Sequence, residues 1–263
     1  MGIFIAAFIM SLGVLFAFGT LGLHWANGNK RYLIPLLLAL PLSPVVNLYV
    51  KHPIFDGLRN VWDIPKSPTG WPIWYAVLVL IIIGITEEII KLSPLLIKSV
   101  RSFGVDRRST LALATFLGLG FGVGEAWYIA WFGYVNDPKI MVLPFYMFGG
   151  YMTERFIATL YHIIFLLFPL FGLIRNIYRI ALGLIVAILL HMFVDISPIL
   201  YQMKIISTNA AFITLIIEAA VASFLFLRFV REFDVEKQPL REAKSGRVLY
   251  TRDEAKKEYT RRS

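Results

Sequence analysis

Residues 72–97 read PIWYAVLVLIIIGITEEIIKLSPLLI. The stretch is long enough to cross a lipid bilayer as an α-helix, which takes about 20 predominantly apolar residues. Within it, Glu87, Glu88 and Lys91 place three ionisable side chains where lipid is expected. Such a group costs about 2.5–3.5 kcal/mol on insertion scales, so it needs a partner or a water-filled cavity. The stretch therefore predicts a transmembrane helix that contributes to a polar site inside the membrane.

The rest of the chain has the same apolar character. Of its 263 residues, 58% are hydrophobic and only 16% are charged, which is more apolar surface than a soluble domain of this length buries. Transmembrane helices are predicted at residues 3–23, 32–50, 72–97, 109–132, 144–173, 177–200 and 207–229. The expected fold class is therefore all-α, a polytopic membrane helix bundle of about seven transmembrane helices. The absence of cysteine excludes disulfides and thiolate nucleophiles.

Two parts of different composition make up the chain. Residues 1–230 are predicted to form the transmembrane helical domain, and residues 231–263 a charged cytoplasmic tail. The first apolar run lacks a basic start and a clear cleavage site, so it is interpreted as a retained helix. Residues 51–71 are rich in proline and glycine and are predicted to form an irregular surface loop.

The distribution of lysine and arginine predicts the orientation in the membrane. One set of alternate loops and ends carries Lys30, Arg31, Lys98, Arg101, Arg107, Arg108, Arg175, Arg179, Arg228 and Arg231. The other set carries Lys51, Arg59, Lys66, Lys139 and Lys204. By the positive-inside rule the N-terminus is expected outside and the tail in the cytoplasm. The net charge of +9 is then explained by basic cytoplasmic loops that lie beside anionic membrane lipid, and no nucleic-acid partner is expected.

Ionisable residues recur in five of the predicted spans. They are Glu87, Glu88, Lys91, Glu125, Glu154, Arg155, His162, His191, Asp195 and Glu218. At a rise of about 1.5 Å per residue, the carboxylates and imidazoles of spans three to six lie roughly 14–24 Å from the predicted cytoplasmic side. They are therefore expected to converge on one wet pocket. Glu218 stands alone on the seventh span and has no assigned partner, and Glu154 is interpreted as structural.

The spacing within each span predicts which groups share a helix face. Lys91 is three residues from Glu88 and four from Glu87, so it can pair with either carboxylate. Neighbouring residues point about 100° apart, so only one of the two glutamates is expected to face the site. His191 and Asp195 are four residues apart and share a face.

A glycine stripe precedes Glu125. Gly118 and Gly122 are four residues apart, and so are Gly120 and Gly124. Small residues at this spacing let helix backbones approach closely. The stripe predicts that Glu125 is held against a neighbouring helix.

Four motifs follow one another on successive predicted helices. They are Glu87-Glu88-x-x-Lys91, Phe121-x-x-x-Glu125, Arg155 with His162, and His191-x-x-x-Asp195. In this order they resemble the motifs of the PrsW family of intramembrane proteases, within the superfamily of type II CAAX prenyl endopeptidases. The resemblance covers about residues 72–200 and implies a peptidase whose substrate is a membrane-associated protein or peptide. Leu92 stands where CAAX-processing members carry a basic residue, which makes prenylated substrates less expected.

These residues suit peptide hydrolysis, which needs an activated water, a polarised carbonyl and a proton for the leaving amine. Glu88 is assigned as general base, with Glu87 the alternative, while Lys91 and Arg155 are supporting residues. In one version Glu125, His162 and His191 bind a divalent metal such as zinc, and Asp195 orients His191. In a metal-free version Glu88 and a histidine activate water, while His191 and its neighbour stabilise the oxyanion.

Two other functions are compatible with the same sequence. Buried Glu, His and Asp side chains also form the proton relay of an ion-coupled transporter. Alternatively, the chain is a non-catalytic scaffold of the same fold. The complete set of candidate catalytic residues favours the peptidase.

Overall fold

The computed structural model describes residues 1–104, 106–173 and 177–233. Every regular element in this part of the chain is helical, which confirms the expected all-α class. Seven segments are long and apolar enough to cross a membrane, so the protein is a multi-pass integral membrane protein. The predicted cytoplasmic tail lies, from residue 234 onward, outside the described residues.

Eleven α-helices make up the bundle within the described ranges. In chain order they are α1 (Gly2–Trp25), α2 (Leu33–Ala39), α3 (Leu42–Val46), α4 (His52–Trp62), α5 (Ile73–Leu92), α6 (Lys98–Arg101), α7 (Arg107–Asn136), α8 (Pro138–Val142), α9 (Gly149–Leu173), α10 (Ile177–Gln202) and α11 (Thr208–Phe233). A π-helical turn spans Asn47–Lys51, and short 3₁₀ turns lie at Lys30–Tyr32, Pro68–Gly70, Ser93–Leu96 and Phe145–Phe148.

The second membrane segment is longer than the sequence predicted. Residues 51–71 were expected to form a loop, and this is wrong for the first 12 of them, because the π-helical turn leads directly into α4. Pro53 does not end the helical segment here; it occupies the second position of α4, directly after the π-helical turn. The segment therefore reaches Trp62 and carries Lys51 inside the bundle, where only 5% of its surface is exposed.

α7 is the central helix of the bundle. It packs against α1, α2 and α9, while α10 packs against α9 and α5. In the most apolar stretch of α7, 89% of the residues are buried, against 11% in α11. α11 lies at the edge and contacts mainly α9 and α10. The polar residues of α7 are thus surrounded by protein, whereas most of α11 faces outward.

The glycine stripe allows α7 to be central. A Cβ atom on Gly124 would lie 1.9 Å from the carbonyl oxygen of Leu40, which follows α2, and one on Gly120 would lie 2.3 Å from that of Leu36. On the opposite face, a Cβ atom on Gly118 or Gly122 would lie 2.6 Å from the nearest atom of α9. The predicted close helix contact is confirmed, and it exists on two sides of α7.

Replacing Gly124 by alanine is expected to destabilise the fold, because the added methyl group would collide with the backbone of Leu40. Overpacking of this kind costs about 1–3 kcal/mol. The melting temperature of the detergent-solubilised protein measures this loss. Gly13→Ala on α1 is the control, because nothing lies within 4 Å of a Cβ atom at that position. Equal melting temperatures for the two variants would contradict the expectation.

The ends of the helices define two faces of the bundle. The amino-terminal face carries Met1 and residues 63–72, 137–148 and 203–207, and the ammonium group of Met1 donates to the carbonyl of Met141. Among the described residues, the basic face carries residues 26–29, 93–104 and 106. Contacts tie the basic face together: the Tyr32 hydroxyl donates to the carbonyl of Phe103 at 2.9 Å.

Candidate functional site

The candidate residues of four helices converge in the interior of the bundle. Glu87 and Glu88 come from α5, Glu125 from α7, His162 from α9 and His191 from α10. All but Glu125 are at least 96% buried, and the side chain of Glu125 is 13% exposed. Direct bonds, described below, connect each of them to at least one other ionisable group.

Lys91 joins two parts of the site. Its ammonium group donates to Glu88 Oε1 at 2.6 Å and to His162 Nδ1 at 2.8 Å. The side chain is fully buried, and the ammonium lies 4.7 Å from the centre of the Phe121 ring. Of the two carboxylates that the spacing allowed, Lys91 therefore pairs with Glu88.

The bond from Lys91 determines the proton positions on His162. An ammonium group has only donors, so Nδ1 of His162 must accept and Nε2 must carry the proton. Nε2 then donates to Glu125 Oε2 at 2.9 Å. Arg155 donates to the same oxygen at 2.7 Å and also pairs with Glu154. His162 thus has no free lone pair in this arrangement.

His191 is oriented by Glu88. Nδ1 of His191 donates to Glu88 Oε1 at 2.6 Å. Nε2, on the other side of the ring, lies 3.5 Å from Asp195 Oδ2 and 3.7 Å from Glu87 Oε2. These distances are longer than a direct hydrogen bond, so Nε2 has no tightly bonded partner among these groups. His191 and Asp195 share a helix face, as their spacing predicted.

Glu87 is paired with a residue that the sequence analysis missed. Lys51 Nζ donates to Glu87 Oε1 at 2.6 Å, and both side chains are buried. The expectation that only one of the two adjacent glutamates faces the site is wrong, because the segment containing Lys51 packs beside α5 and gives Glu87 its own cation. The spacing of the polar residues Asn47 and Lys51, about one helical turn, was the sequence signal that could have placed Lys51 on a polar helix face.

Three cavities adjoin these residues. The first, of about 280 Å³, is lined by Lys51, Glu87, Glu125, Arg155 and Asp195 together with residues near the amino-terminal face. The second, of about 60 Å³, lies between His162, His191, Glu125 and Glu218. The third, of about 380 Å³, lies between α9, α10 and α11. Glu87 borders the first cavity, whereas Glu88 borders none of the three.

Negative charge is in excess around the cavities. The carboxylates are Glu87, Glu88, Glu125, Glu154, Asp195 and Glu218, and the permanent cations bonded to them are Lys51, Lys91 and Arg155. These six carboxyl groups outnumber the three permanent cations by three. The site therefore favours protons or cationic groups.

A divalent metal does not fit this arrangement. Ligand atoms of Glu87, Glu125 and His162 lie within 4.8 Å of one another, a set that differs from the expected Glu125, His162 and His191. However, both ring nitrogens of His162 are already bonded, and Glu87 and Glu125 each bond a side-chain cation. A metal would need the neutral lone pair of the imidazole and would lie close to these cations.

The remaining predicted residues also lie at the site. Arg155 borders all three cavities and supports Glu125, as expected of a supporting residue. Glu218, which was expected to stand alone, borders two cavities together with Glu154 and Arg155.

Comparisons with models of protein families, with curated proteins and with solved structures gave no match to this chain.

Proposed function

We propose that this protein is an intramembrane peptidase that hydrolyses a peptide bond of a membrane-associated protein or peptide. The observation that carries the proposal is the position of Glu87. Its Oε2 has no hydrogen-bond partner and lies 3.7 Å from Nε2 of the buried His191, and the residue borders the 280 Å³ cavity. A carboxylate on the wall of a cavity is the group that water activation needs, and the neighbouring imidazole can donate to a developing oxyanion. The motif order that resembles PrsW proteases agrees with this reaction.

Glu87, rather than Glu88, is the general base in this proposal. The second carboxylate oxygen of each residue is unbonded, but only Glu87 borders a cavity that water and substrate can share. Glu88 instead accepts from both Lys91 and His191 through one oxygen. Its role is to hold the imidazole in one orientation, as a carboxylate does for a catalytic histidine.

The reaction follows from these positions. Glu87 takes a proton from water as the water oxygen bonds to the carbonyl carbon of the substrate, and the carbonyl oxygen becomes negative. Doubly protonated His191 donates from Nε2 to this oxyanion, with Asp195 beside it. The C–N bond then breaks, and the proton held by Glu87 passes to the leaving amine. The products are a carboxylic acid and an amine, and no metal takes part.

The position of the cavity relates the site to the two sides of the membrane. The 280 Å³ cavity is lined by Gln202 at the end of α10 and by Tyr128 in the second half of α7, both toward the amino-terminal face. Burial of Lys51 removes one cation from the loops of that face and increases the charge asymmetry. By the positive-inside rule we expect the basic face in the cytoplasm, and substrate then reaches the site from the outer half of the membrane.

Mapping of new protein N-termini tests the proposal. Membranes containing the wild-type chain are expected to yield internal N-termini of membrane-associated proteins that are absent with an equal amount of His191→Ala. Treatment with a metal chelator is expected to leave them unchanged. Identical N-termini in the two samples would overturn the proposal. Proton flux into liposomes containing the purified chain, without cleavage, would establish the ion-coupled carrier instead.

A further inference from the structure

Glu218 is a buried carboxylate for which the proposed reaction has no use. It is the only acidic residue of α11 between Thr208 and Arg231, and 9% of its surface is exposed. The hydroxyl of Tyr161 donates to the backbone carbonyl of Glu218 at 2.6 Å and so fixes this turn of α11 against α9. The side chain is thereby held at the wall of the 60 Å³ and 380 Å³ cavities.

No cation pairs with Glu218 in the described part of the chain. Its carboxylate accepts no hydrogen bond there, and no lysine or arginine lies within salt-bridge distance. Arg155 borders the same cavities, but its guanidinium is bonded to Glu125 and Glu154. An ionisable group in a membrane segment costs about 2.5–3.5 kcal/mol on insertion scales, so an unpaired one is a candidate functional residue.

The surroundings of Glu218 favour a positive partner. The 60 Å³ cavity is lined by four carboxylates, those of Glu125, Glu154, Asp195 and Glu218, and by one guanidinium. His162 and His191 also line this cavity, so it joins Glu218 to one of the reacting groups, His191. A cationic group beside Glu218 would therefore lie in the same cavity as His191, the proposed donor to the oxyanion.

The larger of the two cavities has space and apolar contacts for the substrate segment that carries the cationic side chain. Its volume of about 380 Å³ falls in the range of ligand sites. Pro198, Ala211, Phe212 and Leu215 form apolar parts of its wall. Because α11 lies at the edge of the bundle, a chain in this cavity lies between the active groups and the surrounding lipid.

We propose that Glu218 and the cavity between α9, α10 and α11 form a substrate subsite for a basic side chain, lysine or arginine, next to the scissile bond. The ammonium or guanidinium group binds the Glu218 carboxylate, and the aliphatic stem of the side chain contacts Pro198 and Leu215. The subsite deepens the proposed function and rests on it for its position relative to the scissile bond. Its ability to bind a cation is independent of hydrolysis.

Peptide binding tests the subsite without requiring cleavage. Fluorescently labelled acetyl-Leu-Lys-Leu-Leu-amide and its norleucine counterpart, which lacks only the charged group, are titrated against the full chain in nanodiscs at 4 °C. Empty nanodiscs give the partitioning of each peptide into lipid. The lysine peptide is expected to bind about tenfold more tightly than the norleucine peptide, as a charged hydrogen bond contributes.

Variants assign this preference to one residue. Glu218→Gln keeps the shape and is expected to remove the preference, whereas Glu218→Asp, which keeps the charge, is expected to retain part of it. Thr214→Val is the matched control, because Thr214 lies on the same helix, borders none of the three cavities and bonds only Ala210 in the described contacts. A preference that persists in Glu218→Gln, or that is absent in the folded wild-type chain, would overturn the subsite.

The cleavage sites found by N-terminal mapping give a second measurement. Lysine or arginine is expected at one fixed position relative to the cut, and this enrichment should disappear in Glu218→Gln while cleavage continues. Cleavage with the same residue frequencies in both proteins would overturn the subsite and leave the peptidase intact. Lysine-selective binding without any cleavage would overturn the peptidase and leave the cation site intact.

Discussion

Replacing Glu87 by glutamine is expected to lower the rate of peptide hydrolysis by about 10²–10⁴-fold, the usual contribution of a general base. The amide has nearly the shape of the carboxylate but takes no proton from water. The measurement is the rate of cleavage of a peptide that spans one of the mapped cleavage sites, with purified protein in nanodiscs. A rate within a few-fold of wild type would show that Glu87 is not the base.

The pairing of Glu87 with Lys51 requires a control for folding. Glu87→Gln leaves the ammonium of Lys51 buried without its counter-ion, which by itself destabilises the protein. The double variant Lys51→Met, Glu87→Gln removes both charges and is expected to recover stability without recovering activity. If the double variant regained hydrolysis, the loss in the single variant would be a folding effect and not a catalytic one.

Replacing Lys91 by methionine is expected to give the largest loss of stability among single substitutions at the site, about 3–5 kcal/mol. Methionine fills a similar volume, but the substitution leaves Glu88 as a buried carboxylate without a permanent cation. It also removes the donor to His162 Nδ1. The free energy of unfolding, measured by denaturant titration in detergent, tests this expectation.

Two further variants make the Lys91 result specific. Lys98→Met removes a lysine that is exposed on α6 and is expected to change stability by less than about 0.5 kcal/mol. Lys91→Met combined with Glu88→Gln removes both buried charges and is expected to recover part of the loss. A loss in Lys91→Met no greater than that in Lys98→Met would mean that the buried pair does not stabilise the fold.

Much of this organisation is predictable from hydrophobic patterning and spacing. The seven segments follow from apolar runs, because a bilayer demands about 20 such residues per crossing. The convergence of Glu88, His162 and His191 follows from their similar depth, since an isolated charge in lipid would be too costly. The close packing around Glu125 follows from the four-residue spacing of the glycines.

The contacts of Lys51 were not predictable in the same way. Because Lys51 lies close to a proline, the sequence suggested a loop. The structure has a π-helical turn there, which rotates the following residues relative to a regular α-helix and has no simple sequence signal. Without Lys51, the two adjacent glutamates appeared to compete for Lys91. The structure gives each of them its own lysine, and this division is what separates the role of Glu87 from that of Glu88.

The two-sided glycine stripe of α7 has a consequence for biosynthesis. α7 is the least hydrophobic of the seven membrane segments and the most enclosed by protein, so it gains little by leaving the translocation channel for lipid alone. Gly120 and Gly124 lie against the second membrane segment, which is already synthesised when α7 emerges. The opposite side of α7 packs against α9, which is synthesised later. We therefore expect α7 to dock against its predecessors first, and α9 to enclose Glu125 only after it has been synthesised.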